Sequence, residues 1–106
     1  MPYQVITEVR FTDAFSKLTE AEQQTEQMKA LEIVTRNGGT IDTILVVPDE
    51  QYAVTIATYA DERSSAKSHL QIMARGAYTL RPHRAFPLDE WMAITAEANA
   101  EALVEV

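Results

Sequence analysis

One stretch decides the fold, Thr40 to Tyr59, which reads TIDTILVVPDEQYAVTIATY. Its first part, Thr40 to Val47, is apolar or β-branched except for Asp42, and the last part, Tyr52 to Tyr59, has the same character. Between them, Pro48 to Gln51 predicts a turn, because proline fixes φ and aspartate bonds to its own backbone. Two β-rich segments joined by a short turn predict an antiparallel hairpin.

A strand and a helix precede this hairpin. Tyr3 to Phe11 alternates one apolar or β-branched side with one mixed side, which predicts a strand with one face on a core. Thr19 to Glu22 is a capping box that begins a helix, and Gly38-Gly39 ends that helix by supplying a left-handed residue. The predicted core stripe of the helix is Ala21, Met28, Leu31 and Val34.

A second helix, a fourth strand and a final helix follow the hairpin. Asp61 is the predicted N-cap of a helix that ends at Gly76, with a core stripe of Ala66, His69, Leu70 and Met73. Tyr78 to Phe86 reads as a strand, and Pro82 places it at an edge, where a missing N–H costs no ladder bond. Pro87 then begins an alanine-rich helix that runs to about Leu103.

The order of these elements is β-α-β-β-α-β plus a C-terminal helix, within a chain of 106 residues that fits one domain, 1–106. This order predicts an α+β fold of the ferredoxin-like, split βαβ kind with a four-stranded antiparallel sheet. Right-handed crossovers place both inner helices on one face of that sheet. The other face is left without a helix of its own.

The hairpin carries apolar residues on both of its faces, since Ile44 and Val46 alternate with Leu45 and Val47. A sheet with one wet face would alternate apolar with polar residues, and large apolar patches are rare on soluble monomers. Either the C-terminal helix folds over the second face, or a second copy packs on it. We predict the second arrangement, a homodimer or a higher homo-oligomer, because a face-to-face pair buries roughly 1,200–2,000 Å².

The composition argues against several classes of protein. The net charge is −7, and phosphate binding needs clustered Lys and Arg, so we expect no nucleic-acid partner. The sequence has no apolar run near the roughly 18 residues of a membrane span, and no secretory signal pattern. It has no cysteine, which removes thiolate chemistry and fits a reducing, cytoplasmic location. No cofactor motif or metal-ligand spacing is present, so we expect no cofactor and no metal.

Several segments resemble the GYD-domain family of small bacterial proteins, which are largely uncharacterised. They are Gly38-Gly39-Thr40-Ile41-Asp42, Tyr52, Gly76 and Thr79 to Phe86. The Gly-Tyr-Asp signature of the family corresponds to Gln51-Tyr52-Ala53, of which Tyr52 matches. The resemblance covers roughly Tyr3 to Met92 and implies a dimeric α+β barrel.

Six polar side chains are predicted to share the face of the sheet that lies away from the helices. Alternation places Glu8 and Arg10 there with Ile6, and Arg81 there with His83. In the hairpin we assign the same face to Asp42, Ile44, Val46, Thr55, Ala57 and Tyr59. A dimer would enclose Glu8, Arg10, Asp42, Tyr59, Arg81 and His83 among apolar walls, which is the composition of a small-molecule pocket.

Within that pocket His83 is the candidate general base, because an imidazole titrates near neutrality. Arg81 or Arg10 would hold an anionic substrate. Plainer roles stay open: Glu8 and Arg10 neutralise each other inside an interface, or His83 lies on the rim. His69 is expected to pack in the core rather than to ligate a metal.

Two functions remain open at this point, and no motif decides whether the chain is an enzyme. In the first, the protein binds a small anionic or aromatic molecule and acts as a cofactor-free oxygenase or isomerase, by analogy of fold alone. In the second, it is a non-catalytic regulatory module that binds a metabolite or only assembles with itself.

Overall fold

Alternating side chains of the first strand divide the molecule into two faces. The computed structural model describes residues 2–104, and its first strand, β1, spans Tyr3–Phe11. Val5 and Thr7 lie under the helices and are 1% and 3% exposed, whereas Ile6 on the other side is 37% exposed. Side chains alternate along a strand, so the odd-numbered residues of β1 mark a helical face of the sheet. The even-numbered residues mark an open face.

The first long helix, α2, begins where its capping box predicts. After a short helix α1 (Asp13–Ser16), which the sequence reading missed, α2 spans Glu20–Arg36. The Glu22 amide donates to Thr19 Oγ1 at 3.2 Å, and the Thr19 amide donates to Glu22 Oε1 at 2.9 Å. The predicted capping box is therefore confirmed. Gly38 follows the helix at φ 79°, in the left-handed region that glycine favours.

The second long helix, α3, spans Glu62–Met73 and begins at the predicted N-cap, Asp61. Its buried face is Ser65, Ser68, His69 and Ile72. The predicted stripe was wrong except for His69 and the partly buried Met73: Ala66 is exposed, and Leu70 is 66% exposed. Serine is small enough to let the helix approach the sheet closely. Because serine is polar, the spacing of apolar residues does not identify these positions as buried. In α2, likewise, Met28 is 58% exposed while Ile33 is buried.

The sheet has four antiparallel strands in the order β2-β3-β1-β4. The strand β2 spans Thr40–Val47, β3 spans Tyr52–Tyr59 and β4 spans Tyr78–Ala85. A turn of 3₁₀-helix at Pro48–Glu50 joins β2 to β3 in the predicted hairpin. The predicted α+β class with a four-stranded antiparallel sheet is thus confirmed. Pro82 lies in β4, which is an edge strand, as its missing N–H requires.

A β-bulge in β2 changes which hairpin residues face the helices. The register shifts between Ile41 and Thr43, so that Ile44 lies opposite Thr55 and Val46 lies opposite Ala53. Directly opposed residues share a face, and Ala53 is buried on the helical face. The assignment of Ile44 and Val46 to the open face was therefore wrong. That of Thr55, Ala57 and Tyr59 was wrong as well, because they pair with Thr7, Val5 and Tyr3 on the helical face. The open face of the hairpin instead carries Leu45, Val54 and Ile56.

The last helix, α4, spans Leu88–Val104 and projects away from the rest of the molecule. Among the described residues it makes no extended contact with the sheet or the other helices, and the longest dimension reaches 61 Å. The alternative in which α4 folds over its own sheet is therefore wrong. Trp91 packs on the nearby Phe86, with ring centroids 6.0 Å apart. Within residues 2–104, no helix is both long and apolar enough to cross a membrane.

Candidate functional site

A cavity of about 230 Å³ lies between the helices and the helical face of the sheet. The space exists because two of the lining residues on the inner strand β3, Ala53 and Ala57, have small side chains. Larger residues at these positions would occupy it. Its apolar walls are Val9, Phe11, Ile41, Ile44, Val46, Ala53, Ala57 and Leu80 from the strands, and Ala30, Leu31, Val34 and Ile72 from the helices. No Asp, Glu, Lys or Arg of residues 2–104 lines it.

The mouth of the cavity lies at the β2 side of the molecule. Ile44 and Val46, which line the cavity, are 45% and 57% exposed, while lining residues near β1 and β4 such as Leu80 are buried. The helical face of the outer strand β2 is therefore only partly covered. A ligand would enter past Ile44 and Val46.

His69 is a polar group in the wall, and both of its ring nitrogens are engaged. Nδ1 lies 2.6 Å from the Ser65 carbonyl oxygen, which can only accept, so Nδ1 carries the proton. Nε2 then accepts from the Thr7 hydroxyl at 3.0 Å. Burial lowers the pKa of His69, against the opposing effect of the bond to Ser65. The imidazole is therefore neutral near pH 7, and the Thr7 oxygen keeps its lone pairs for another donor.

Tyr78 is a second polar group in the wall, and it lacks a partner. The residue is 6% exposed, and its hydroxyl makes no hydrogen bond to any described residue. Burial, assisted by the negative charge of Glu26, raises the pKa of Tyr78 to about 12, so the hydroxyl is a neutral donor. A buried hydroxyl without a partner costs about 1–3 kcal/mol. The hydroxyl oxygen has almost no accessible surface, so a ligand in the cavity would recover part of that energy only after a neighbouring side chain moved.

Sequence reasoning missed this cavity, although two signals for it were present. Thr7 interrupts the apolar side of β1, and His69 lies on the inner stripe of α3. Two polar groups on facing buried surfaces must bond to each other or to a third group. The alanines of β3 gave a weaker signal of unfilled volume. None of the six predicted site residues except Tyr59 lines the cavity.

The open face brings together three of the predicted residues. His83 Nε2 lies 3.1 Å from Glu8 Oε2, with the two side chains 54% and 36% exposed. The hydrogen bond to His83 lowers the pKa of Glu8 most, and the nearby charge of Arg81 contributes further. Arg81 lies directly opposite Glu8 in the β1–β4 pairing. This cluster can hold an anion or transfer a proton, but in a single copy water reaches it.

The other three predicted residues have other partners, although the charge of the neighbouring Arg10 also helps to lower the pKa of Glu8. Arg10 stacks over the Tyr52 ring, with 5.0 Å between the guanidinium carbon and the ring centroid. Asp42 lies at the bulge and accepts a hydrogen bond from Thr58 at 2.7 Å. Thr58 pairs with Gln4, four residues and about 13 Å along β1 from Glu8. Tyr59 was placed on the wrong face: it pairs with Tyr3 on the helical face and is 3% exposed.

The two histidines also lie on opposite sides of the sheet. His69 reaches the sheet from α3 on the helical face, whereas His83 lies on the open face with Glu8. Within residues 2–104, no three His, Asp or Glu side chains gather closely enough to hold a metal ion. The two polar centres are therefore separate sites, one inside the domain and one on its surface.

Comparison with known proteins does not assign a function to these sites. No protein-family model matches the chain, and a comparison with curated proteins finds no match. The cavity, the open face and α4 are therefore the features from which a function has to be inferred.

Proposed function

We propose that the chain binds a small, uncharged and largely apolar molecule in the cavity between α2, α3 and the sheet. The observation that carries this proposal is the cavity itself. An apolar cavity of about 150 Å³ is enough to bind benzene. A cavity of about 230 Å³ accommodates a somewhat larger aromatic molecule. Ligand sites are typically apolar with a few convergent polar groups, which Thr7 and Tyr78 supply here.

The polar groups in the wall determine which hydrogen-bonding or charged groups a ligand can have. Tyr78 offers a donor without a partner, and the Thr7 oxygen can accept, because its own proton is given to His69. A phenolic hydroxyl or an indole N–H could use one of these groups. A carboxylate would be buried without a counter-charge, since no basic side chain of the described residues lines the cavity. The favoured ligand class is a neutral aromatic molecule with one hydrogen-bonding group.

Calorimetric titration and thermal denaturation with phenol, indole and benzoate test this proposal. Phenol and indole should raise Tm, since a ligand at 100 times its Kd stabilises the fold by about 2.7 kcal/mol, whereas benzoate should not. Ala57→Leu puts a larger side chain into the cavity and should weaken or abolish the shift. The control Ala74→Leu adds the same volume at an exposed position outside the cavity and should keep it. Binding that survives Ala57→Leu would place the ligand elsewhere.

Tyr78→Phe tests the polar group within the same experiment. The variant keeps the ring that packs on Phe11 and Phe15, with centroids at 5.8 and 5.2 Å. It removes a hydroxyl without a partner, so the free protein should not lose stability. Phenol should bind up to about tenfold more weakly, while benzene should bind as before. Equal losses for phenol and benzene would mean that the hydroxyl does not contact the ligand.

We further propose that the domain is ferredoxin-like and that two copies pair through their open faces as a dimeric α+β barrel. Support comes from the strand order β2-β3-β1-β4, with α2 and α3 on one face of the sheet, and from the apolar residues Ile6, Leu45, Val54 and Ile56 on the other. Four strands of about eight residues cover about 19 by 26 Å, so the pair would bury about 1,000 Å² in total, the lower limit of a specific interface. Gln51 supports the resemblance to the GYD-domain family, because its φ of 52° favours the glycine of the family signature.

A second candidate function uses the open face, and the bond between His83 and Glu8 favours it. In a face-to-face dimer these side chains and Arg81 would be screened from water. There His83 could serve as a base for an anionic or aromatic substrate, in cofactor-free oxygenase or isomerase chemistry. Benzoate binding that is lost in Arg81→Ala but kept in Ala57→Leu would support this site. With no ligand at either site, the chain is a self-assembling module.

A further inference from the structure

Helix α4 is apolar around most of its circumference, although it is exposed in the single copy. Leu88, Trp91 and Met92 in its first turns are 73%, 53% and 62% exposed. Apart from Asp89 its charges form one stripe, Glu90, Glu97 and Glu101, at spacings of seven and four residues. A helix that is apolar nearly all round is normally buried. Something outside the single copy therefore covers α4.

The residues of α4 argue against a membrane surface and against nucleic acid as the partner that covers this helix. A helix that lies on a membrane surface carries Lys and Arg on its polar face, and Leu88–Val104 contains neither. An acidic stripe likewise repels nucleic acid. The same chain, in contrast, offers a matching surface: Ile44 and Val46 at the cavity mouth on β2 are 45% and 57% exposed. The 17 residues of α4 extend about 25 Å, and the eight residues of β2 extend about 26 Å.

We propose that α4 of one copy packs along β2 of a second copy and covers the mouth of its cavity. The inference rests on the face-to-face pairing proposed above, because a two-fold axis parallel to the strands sets β4 over the partner's β2 edge. Since α4 follows β4 directly, it begins where that edge lies.

The buried area agrees with this arrangement. A helix about 25 Å long and 10 Å across has a lateral surface of about 800 Å², half of which faces the partner. Two such contacts, counted on both copies, bury about 1,600 Å², the size of a standard stable interface. Because Ile44 and Val46 line the cavity, the mouth closes only when the second copy is present. The ligand site is then complete in the dimer and open in the single copy.

The only tryptophan in the chain, Trp91, reports on this contact in the unmodified protein. As the concentration rises through dimer formation, its emission should shift to shorter wavelength and iodide should quench it less. Met92→Lys should give a monomer in light scattering, with the emission of an exposed tryptophan. The control Glu97→Gln changes the charge by the same amount on the acidic stripe and should stay dimeric. A dimer in Met92→Lys, or a wild-type protein that stays monomeric, overturns the inference.

Two single-cysteine variants locate the contact, since the chain has no cysteine of its own. Equal amounts of Met92→Cys and Val46→Cys are mixed and oxidised, and the disulfide should join one chain of each kind. Met92→Cys joined only to itself would mean that two α4 helices pair with each other, which overturns the placement on β2. Ile6→Lys, at the centre of the open face, separates the two proposals. If Ile6→Lys is monomeric while Met92→Lys is dimeric, the open faces pair but α4 does not take part.

Discussion

At the scale of single residues, the bond between Thr7 and His69 links the sheet to α3. It joins β1 to α3 at 3.0 Å, and the Ser65 carbonyl fixes the imidazole from the other side. Both contacts suit the neutral ring, and burial lowers the pKa of His69. The protonated ring would need a second acceptor, and the Thr7 hydroxyl would have to turn.

This environment predicts how stability changes with pH. In the unfolded chain His69 titrates near a pKa of about 6.5, and in the folded chain its pKa is lower. Between the two values the unfolded state binds more protons, so the free energy of unfolding falls as the pH falls. The contribution is complete above about pH 6.5 and is lost toward the folded pKa. Urea denaturation from pH 7.5 to 5 should show this slope.

The matched variant for this measurement is His69→Gln, which keeps a hydrogen-bonding side chain of similar length but cannot titrate. It should be less stable at pH 7.5 and should show a flatter dependence on pH than the wild type. Identical slopes in the two proteins would mean that His69 is not protonated preferentially in the unfolded chain.

At the scale of elements, the sequence predicts where the helices begin better than it predicts which face of a helix or strand is buried. The capping box at Thr19 and the N-cap Asp61 were predicted from sequence and are present. Each is a local pattern of two or three residues whose geometry does not depend on distant parts of the chain. Which face a strand turns inward is a tertiary property. Simple alternation from Asp42 put Ile44 and Val46 on the open face, but the bulge at Asp42 turns both residues to the helical face.

The candidate site shows the same division. Glu8, Arg81 and His83 were placed on one face from simple alternation along β1 and β4, and they lie together there. Tyr59 was misplaced, because both faces of its strand are apolar and neither marks the core. The cavity was not predicted, because it is the volume that remains after all side chains pack. No short sequence pattern encodes such a volume.

The cap of α2 gives a prediction at this scale. Thr19→Ala removes the hydroxyl that accepts from the Glu22 amide, and it should lower the free energy of unfolding by about 1 kcal/mol. The control Thr25→Ala removes a hydroxyl that bonds to the Ala21 carbonyl within the helix. It should cost almost nothing, because alanine has the better helix propensity. Equal losses in the two variants would argue against the cap, and urea denaturation measures both.

At the scale of the whole molecule, net charge opposes the proposed pairing. Each chain carries −7, so two copies repel each other beyond their contact surface. Raising the salt from 0.01 to 0.15 M shortens the Debye length from about 30 to about 8 Å. The dimer should therefore dissociate at a lower protein concentration in 0.15 M salt than in 0.01 M. Sedimentation at a series of dilutions measures this difference.

The opposite result would have a specific meaning. If salt weakened the dimer, attractive charge pairs between the copies would outweigh the general repulsion. The cluster of Glu8, Arg81 and His83 on the open face would be the first place to look for them. Glu8→Gln would then weaken the dimer at low salt and remove the dependence on salt.

The outer strand β2 is also a site at which the protein can aggregate. It presents eight residues without a proline or a lysine, and the bulge at Asp42 interrupts only its beginning, whereas the opposite edge contains Pro82. A long, apolar and unprotected edge is a template on which another chain can form a strand. Whenever β2 is uncovered, precipitation competes with refolding. Overproduction at high temperature would thus lose protein to aggregates that grow from β2.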